Sequence, residues 1–196
     1  MKNILDCVNA FEALLDTRYK LVLGRKGVAV TLCVEFDKKD CYHLVGLQYL
    51  KDRPELSRDR GKVFDEIISG KISLEKIESS VFYEHIRERI EYLPYLEELF
   101  DNNDTIFKYN QRTNSFSLIQ ADYLMKNRIH EKNIFIFLSE NTEGKFFCRS
   151  FFPERVKDYT KNQISWKLLY KEKIKKSTSE IVVLYNKMSR NIKTEE

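Results

Sequence analysis

The second half of the chain is a series of short strand-like segments, and this feature constrains the fold most. The segments after residue 104 are TIFKYN, SFSLIQADYLM, NIFIFLSE, KFFCRSFF and EIVVLYN, and turn sequences such as Asn141-Thr142-Glu143-Gly144 separate them. β-branched and aromatic residues between turn sequences are typical of strands. The stretch QISWKLLYKEKI fits a strand or a helix, but the alternation of Ile164, Trp166 and Leu168 favours a strand. We therefore predict an antiparallel sheet.

The first half of the chain has helical periodicity on both sides of one hairpin. Residues 3–16 have the spacing of an amphipathic helix, and two β-rich runs follow, joined by Arg25-Lys26-Gly27. A second helix is predicted over residues 41–50 with Asp40 as its cap, and residues 59–101 are helical almost throughout. The predicted fold class is α+β, in which a curled antiparallel β-sheet packs against an N-terminal helix and a central helical block.

Length and composition predict one folded domain. The chain has 196 residues, of which 42% are apolar and 33% are charged. A chain of this length can bury a core without disulfides or metals, and this composition is not that of a disordered protein. We predict a single domain over residues 1–185 and a polar C-terminal tail over residues 186–196.

The cysteines and the N-terminal segment indicate in which cellular compartment the protein is expected. The four cysteines are Cys7, Cys33, Cys41 and Cys148. They form no CxxC pair and have no histidine at zinc-finger spacing, so buried free thiols in a reducing compartment are the simplest interpretation. Acidic residues interrupt the N-terminal segment where a signal peptide would be continuously apolar, and no run approaches the roughly 20 apolar residues that cross a bilayer. We expect a cytoplasmic protein without a membrane segment.

Positive charge is concentrated towards the C-terminus. From Lys145 to Glu196 there are 13 Lys and Arg against 6 Asp and Glu, a net charge of +7, whereas residues 1–144 carry −3. A nucleic-acid-binding surface and a solvated lysine-rich face both explain this distribution. The chain has no GxxxxGK[ST], GxGxxG, HExxH or GxSxG motif, and its three histidines are far apart. We expect neither a metal nor an organic cofactor.

The first candidate site residue is His43, within the apolar run CYHLVGLQYL. On a helix, His43, Gly46, Leu47 and Leu50 share one face. The imidazole is then either a hydrogen-bonded core residue, or a general base or acid whose pKa is tuned by a half-buried position. Spacing alone leaves both interpretations open.

The second candidate is the segment FFCRSFFPERVKDYTKNQISWK, residues 146–167. An alternating strand would place Phe147, Arg149 and Phe151 on one face, where the guanidinium suits phosphate recognition. Downstream residues add cations, hydroxyl groups and a ring, which metal-free RNA-cleaving sites use. They are Lys157, Tyr159, Thr160, Lys161, Gln163 and Lys167. An ordinary strand edge and polar loop is the alternative. The segment from Glu84 to Arg89 is interpreted as a solvated helix face.

Several strings resemble a known nuclease family. In chain order, FDKKDCYHLVGLQYLKD, RIEYL, SFSLIQADYL, IFIFL, RSFFPERVKDYTKNQ and LLYKEKI resemble the fourth phage-type branch of the barnase–EndoU–colicin–RelE-like nucleases. The resemblance covers about residues 18–176. Its best motifs are HLxGLxYLKD, at residues 43–52, and SFF…DYTxxQ, at residues 150–163.

The resemblance implies a compact α+β fold with a four-stranded antiparallel sheet and a metal-independent endoribonuclease of phages and mobile elements. Such an enzyme activates the ribose 2′-OH with a base and stabilises the phosphorane-like charge with a cation. By motif, His43 is the base or acid, Arg149 the phosphate clamp, and the positioning residues are Tyr159, Thr160 and Gln163. The lysines expected to contact nucleic acid are Lys157, Lys161, Lys167 and Lys173.

Two functions remain open at this point. The leading hypothesis is a ribonuclease toxin or effector, with RNA as its substrate and an antitoxin or immunity protein as a possible partner. The alternative is a catalytically inactive RNA- or protein-binding module on the same fold, because no single motif contains a complete acid–base pair. The sequence leaves the oligomeric state open.

Overall fold

A computed structural model describes residues 2–57, 59–102, 105–114 and 117–188. The helices are α1 (Ile4–Leu15), α2 (Lys38–Val45), α3 (Arg60–Ile68), α4 (Leu74–Glu78), α5 (Arg87–Tyr92) and α6 (Leu96–Asn102). The strands are β1 (Thr17–Arg25), β2 (Val28–Glu35), β3 (Thr105–Lys108), β4 (Tyr123–Ile129), β5 (Lys132–Glu140), β6 (Phe146–Pro153), β7 (Ile164–Lys175) and β8 (Ile181–Asn186).

The predicted antiparallel sheet with a helical block packed against it is wrong, because the sheet closes on itself. Seven strands form a closed barrel in the order β1-β2-β6-β5-β4-β3-β7, and β7 pairs back with β1. The barrel is mixed, since β2 and β6 run parallel and pair at Val34 and Phe146. The four-stranded sheet implied by the resemblance is likewise too small. Closure depends on the 12-residue β7, which pairs with β1, β3 and β8.

Local sequence patterns predicted the individual hairpin and strands more reliably than they predicted the arrangement of the whole sheet. The predicted hairpin is present, and Lys26 and Gly27 at its tip both have positive φ (48° and 81°), which suits a two-residue turn. The stretch of uncertain type, QISWKLLYKEKI, is the strand β7. β4 begins only at Tyr123, later than the run SFSLIQADYLM suggested.

Helix α2 begins and ends earlier than predicted. Asp37 is its N-cap, and Asp40, the third residue of the helix, completes a capping box: its side chain accepts from the Asp37 N–H. Gly46 ends the helix with a left-handed φ of 93°. Residues 47–49 form a 3-10 turn, so the predicted helix over residues 41–50 is wrong. The expected shared face of His43, Gly46, Leu47 and Leu50 is therefore not a helix face.

We expect Gly46→Ala to destabilise the protein more than Gly70→Ala. Both glycines have positive φ, which costs an L-residue about 1–2 kcal/mol. A Cβ at Gly46 would also lie 3.0 Å from Ile86 and 3.1 Å from Arg89, whereas one at Gly70 would meet nothing within 4 Å. The free energy of unfolding in urea measures both losses. Equal losses of stability in the two variants would show that the side chains of Ile86 and Arg89 move away from the new Cβ at Gly46 without cost.

Asp40 makes the stability of the protein depend on pH. Burial, and to a smaller extent the charge of Asp37, raises the pKa of Asp40 to about 6, although its hydrogen bond from the Asp37 N–H opposes the shift. An unfolded aspartate has a pKa of about 3.9. The folded protein therefore retains a proton that the unfolded chain releases, and this contribution to stability is present below about pH 4 and lost as the pH rises through 6.

We expect Asp40→Asn to gain stability relative to the wild type as the pH rises from 4 to 7, by up to about 3 kcal/mol. Denaturation at a series of pH values measures this difference. Asp52→Asn is the control of opposite sign, because the hydroxyl of Ser80 lowers the pKa of Asp52. Its difference from the wild type should be nearly constant between pH 5 and 7 and become less unfavourable as the pH falls below about 4. A constant difference for Asp40→Asn would contradict the raised pKa.

The core occupies both faces of part of the sheet. The main core packs the helices against the barrel and includes the ring cluster of Phe11, Tyr19, Phe36 and Phe100. A smaller cluster lies on the opposite face of β4 and β5. Its members on these strands alternate with main-core residues, and successive side chains of a strand point to opposite faces. Its buried members are Tyr109, Leu124, Phe135 and Phe137, and partly buried residues, including Phe152 and Tyr159, pack against them.

The cysteines are free thiols, as expected. Cys7, Cys41 and Cys148 are buried and Cys33 is half-buried. Burial raises the thiol pKa of the three buried cysteines, which keeps them protonated and unreactive. The single domain over residues 1–185 stays a prediction, and residues 189–196 of the predicted tail lie outside the described residues. In the part of the chain that the structure describes, no helix has the length and apolar character needed to cross a membrane.

Candidate functional site

Arg149 lies in a β-bulge of β6. Phe137 on β5 pairs with Ser150 and Leu138 pairs with Cys148, so Arg149 is the extra residue between them. A bulge re-aims side chains and changes which face the following residues occupy. Cys148 and Phe151 consequently both face the main core, and Arg149 is exposed. The predicted common face of Phe147, Arg149 and Phe151 is therefore wrong.

His43 lies on α2, which packs against β6. Its imidazole is half-buried and meets the Tyr42 ring edge-on, with 5.5 Å between the ring centroids. Burial, followed by the positive charges of Arg60 and Arg149, lowers the pKa of His43 below its ordinary value. The imidazole is therefore mainly neutral at pH 7 and can accept a proton. His43 and Arg149, 106 positions apart in the sequence, are close enough to interact electrostatically.

Arg60 adds a second guanidinium beside His43. It is the first residue of α3, is exposed, and lies over the Tyr42 ring at 5.8 Å from the centroid. Within the described ranges, no carboxylate lies within 4.0 Å of the guanidinium of Arg60 or of Arg149. Two guanidinium groups without a carboxylate partner, next to a neutral imidazole, form a surface suited to a phosphate.

The three predicted positioning residues mainly stabilise the loop after β6. The Thr160 hydroxyl donates to Asp158 at 2.6 Å. The Gln163 amide accepts from the Asn110 N–H at 2.7 Å and donates to the Asn110 carbonyl and the Thr113 hydroxyl. The Tyr159 ring packs in the smaller aromatic cluster, within 5.5 Å of Phe135 and Phe137. None of these contacts involves His43.

The four predicted RNA-binding lysines are spread over the surface. Lys157 lies over the Tyr159 ring at 5.0 Å, and Lys161 is exposed in the following turn. Lys167 is exposed on β7 beside the tip of the β1–β2 hairpin. Lys173 makes ion pairs with Glu97 at 2.7 Å and Asp101 at 2.8 Å, so its charge is already balanced.

A cleft of about 550 Å³ lies next to the loop after β6, and Lys157 is one of its lining residues. Its lining includes His85, Glu88 and Arg89 on one side and Arg155, Lys157 and Tyr159 on the other. Arg155 forms a 2.6 Å ion pair with Glu88. Sequence patterns did not indicate this cleft, because its walls come from segments about 65 residues apart.

Arg89 connects the cleft to the surface around His43. Its Nη1 donates to the carbonyl of Leu44, at 3.2 Å, and to that of Phe151, at 2.5 Å. Leu44 follows His43 on α2, and Phe151 lies two residues after Arg149 on β6. Arg89 therefore ties together the two elements that carry His43 and Arg149.

The interpretation of residues 84–89 as a solvated helix face is wrong for Arg89, which is half-buried. Burial lowers the pKa of its guanidinium, Tyr49 opposes this, and the charge of Arg155 adds to it. One signal was available: Arg89 occupies a place in the apolar stripe that includes Ile86 and Ile90. An arginine in such a stripe indicates either a clamp on buried carbonyls or a bound anion.

The described residues contain no group of three or more His, Cys, Asp and Glu side chains that could hold a metal ion. A neutral imidazole beside guanidinium groups without carboxylate partners is the kind of site that nucleic-acid-processing proteins present to a phosphodiester. A family model described as phage-Barnase-EndoU-ColicinE5/D-RelE like nuclease4 matches residues 3–188, and the chain belongs to this family. This confirms the predicted resemblance. No curated protein and no solved structure matches the chain.

Proposed function

We propose that this member of a phage-associated nuclease family is an endoribonuclease that acts without a metal ion. His43 is the general base, and Arg149 and Arg60 bind the scissile phosphate. The observation that carries the proposal is the packing of α2 on β6 and on α3, because the charges of Arg149 on β6 and of Arg60 on α3 both act on His43. In this proposal, the same charges that lower the pKa of the base also stabilise the anionic transition state.

The proposed reaction uses the group that distinguishes RNA from DNA. The neutral imidazole of His43 takes the proton of the ribose 2′-OH, and the 2′ oxygen forms a bond to the adjacent phosphorus. The bond from phosphorus to the 5′ oxygen breaks, and that oxygen takes a proton from water. The products are a 2′,3′-cyclic phosphate and a free 5′-hydroxyl. Arg149 and Arg60 stabilise the negative charge that develops on the phosphorane oxygens.

The family description motivates a proposal for the biological role. A phage-associated nuclease family supports a toxin or effector of a phage or mobile element. We propose RNA as its substrate and an antitoxin or immunity protein as its partner. The test is cleavage of labelled RNA by the purified protein in excess EDTA, compared with His43→Asn. RNA binding without cleavage would instead identify a catalytically inactive binding module.

A further inference from the structure

The proposed catalytic mechanism leaves the cleft beside Arg89 without a role. Neither His43 nor Arg149 lines it, although Arg89 contacts the elements that carry both. Its volume of about 550 Å³ falls in the range of about 300–1,000 Å³ that small-molecule sites occupy. An extended RNA bound at His43 would also reach beyond a single phosphate.

The charge of Arg89 is not neutralised. Its Nη1 is satisfied by the Leu44 and Phe151 carbonyls. Across residues 2–57, 59–102, 105–114 and 117–188, no carboxylate lies within 4.0 Å of this guanidinium, and its remaining N–H groups donate to no acceptor in these ranges. A half-buried cation without a counterion is costly, and an anion in the cleft would relieve that cost. A planar guanidinium with free donors suits a phosphate oxygen.

The apolar part of the cleft lies beside this cation. The Arg89 guanidinium lies near the rings of Tyr49 and Phe152, at 5.7 and 5.4 Å from their centroids. Tyr49 is 41% exposed and Val156, at the rim, is fully exposed. A phosphate-binding cation next to accessible apolar and aromatic surface matches the two ends of a nucleotide, because bases stack on such surfaces whatever their sequence.

We propose that the cleft is a nucleotide subsite, in which one nucleotide of the RNA places its phosphate on Arg89 and its base against Tyr49 and Val156. This inference rests on the proposed ribonuclease function and specifies where the chain beside the scissile bond is held. Because Arg89 bonds to α2 and β6, a nucleotide in the cleft is held against the same elements that position His43 and Arg149.

The test measures binding separately from cleavage. The probe is a fluorescein-labelled eight-nucleotide RNA with 2′-O-methyl riboses, which lacks the 2′-OH and stays intact, and fluorescence anisotropy reports its Kd. Val156→Asp places a negative charge at the rim, and Tyr49→Ala removes the stacking surface. Each is expected to weaken binding roughly tenfold. Val183→Asp, which adds the same charge at an exposed position on β8, is the matched control and should bind as the wild type does.

Arg89→Lys extends the test to the phosphate, with its melting temperature measured because Arg89 also stabilises the fold. Selective loss of binding in Val156→Asp and Tyr49→Ala supports the subsite. This conclusion also holds when the wild type binds RNA but does not cleave it, and in that case only the ribonuclease proposal is removed. If the wild type cleaves RNA and both variants bind and cleave as it does, the subsite is overturned and the ribonuclease proposal stands. No binding by the wild type overturns the subsite.

Discussion

Replacing His43 by asparagine is expected to slow RNA cleavage by about 10²–10⁴-fold, the usual contribution of a general base. Asparagine is similar in size and polarity to histidine but cannot take the proton of the ribose 2′-OH. The rate is measured on end-labelled RNA in excess EDTA, and the products are examined for a 2′,3′-cyclic phosphate end.

His130→Asn is the matched control for this experiment. His130 is exposed at the turn between β4 and β5 and has a φ of 45°, a conformation that asparagine tolerates well. The control should cleave RNA at the wild-type rate, and both variants should keep the wild-type melting temperature. Equal cleavage by wild type and His43→Asn would remove His43 from the mechanism. A loss of stability without a change in rate per folded molecule would identify His43 as a packing residue.

Replacing Arg149 by alanine is expected to lower kcat/KM by about 10²–10³-fold, the range found when one donor to a developing oxyanion is removed. It should also shift the pH profile. The charge of Arg149 is one of the causes that lower the pKa of His43. Activity requires neutral His43, so the acid limb of the profile reports this pKa in the free enzyme, and the limb should move to higher pH in the variant.

The control is Arg128→Ala, which removes an exposed arginine from β4. It should change neither the rate nor the position of the acid limb. The shift separates loss of the Arg149 charge from a general disturbance of β6. Both would lower the rate, but only loss of the charge is expected to move the acid limb to higher pH. An unmoved limb in Arg149→Ala would contradict the electrostatic influence of Arg149 on His43.

Residue patterns correctly placed most of the helices and strands, because side-chain periodicity and turn residues are local properties. The β1–β2 hairpin, the amphipathic α1 and the alternating β7 were all found in this way. Closure of the sheet was not, because it depends on which strand edges meet. β7 pairs with three strands and contains bulged registers with two of them, which no alternation pattern encodes.

Some residues of the candidate site were found from the sequence, and others were found only in the structure. His43 and Arg149 stood out as chemically unusual residues in apolar surroundings. Arg60 was not among the predicted site residues, and Arg89 was interpreted as part of a solvated helix face. Their roles depend on neighbours far along the chain: Tyr42 and His43 for Arg60, and Leu44 and Phe151 for Arg89. Conversely, Thr160 and Gln163 were chosen for their functional groups, which the structure uses for hydrogen bonds within loops.

The sequence by itself determined most element types, the family resemblance and two candidate residues, His43 and Arg149, whose functional groups suit a phosphodiester. Only the tertiary structure decided how that chemistry is assembled. The bulge at Arg149 turns its side chain outwards, and the end of α2 at Gly46 makes room for Arg89. The physical reason is range: propensity and periodicity act over a few residues, whereas the pKa of His43 and the uncompensated charge of Arg89 arise from groups that only packing brings together.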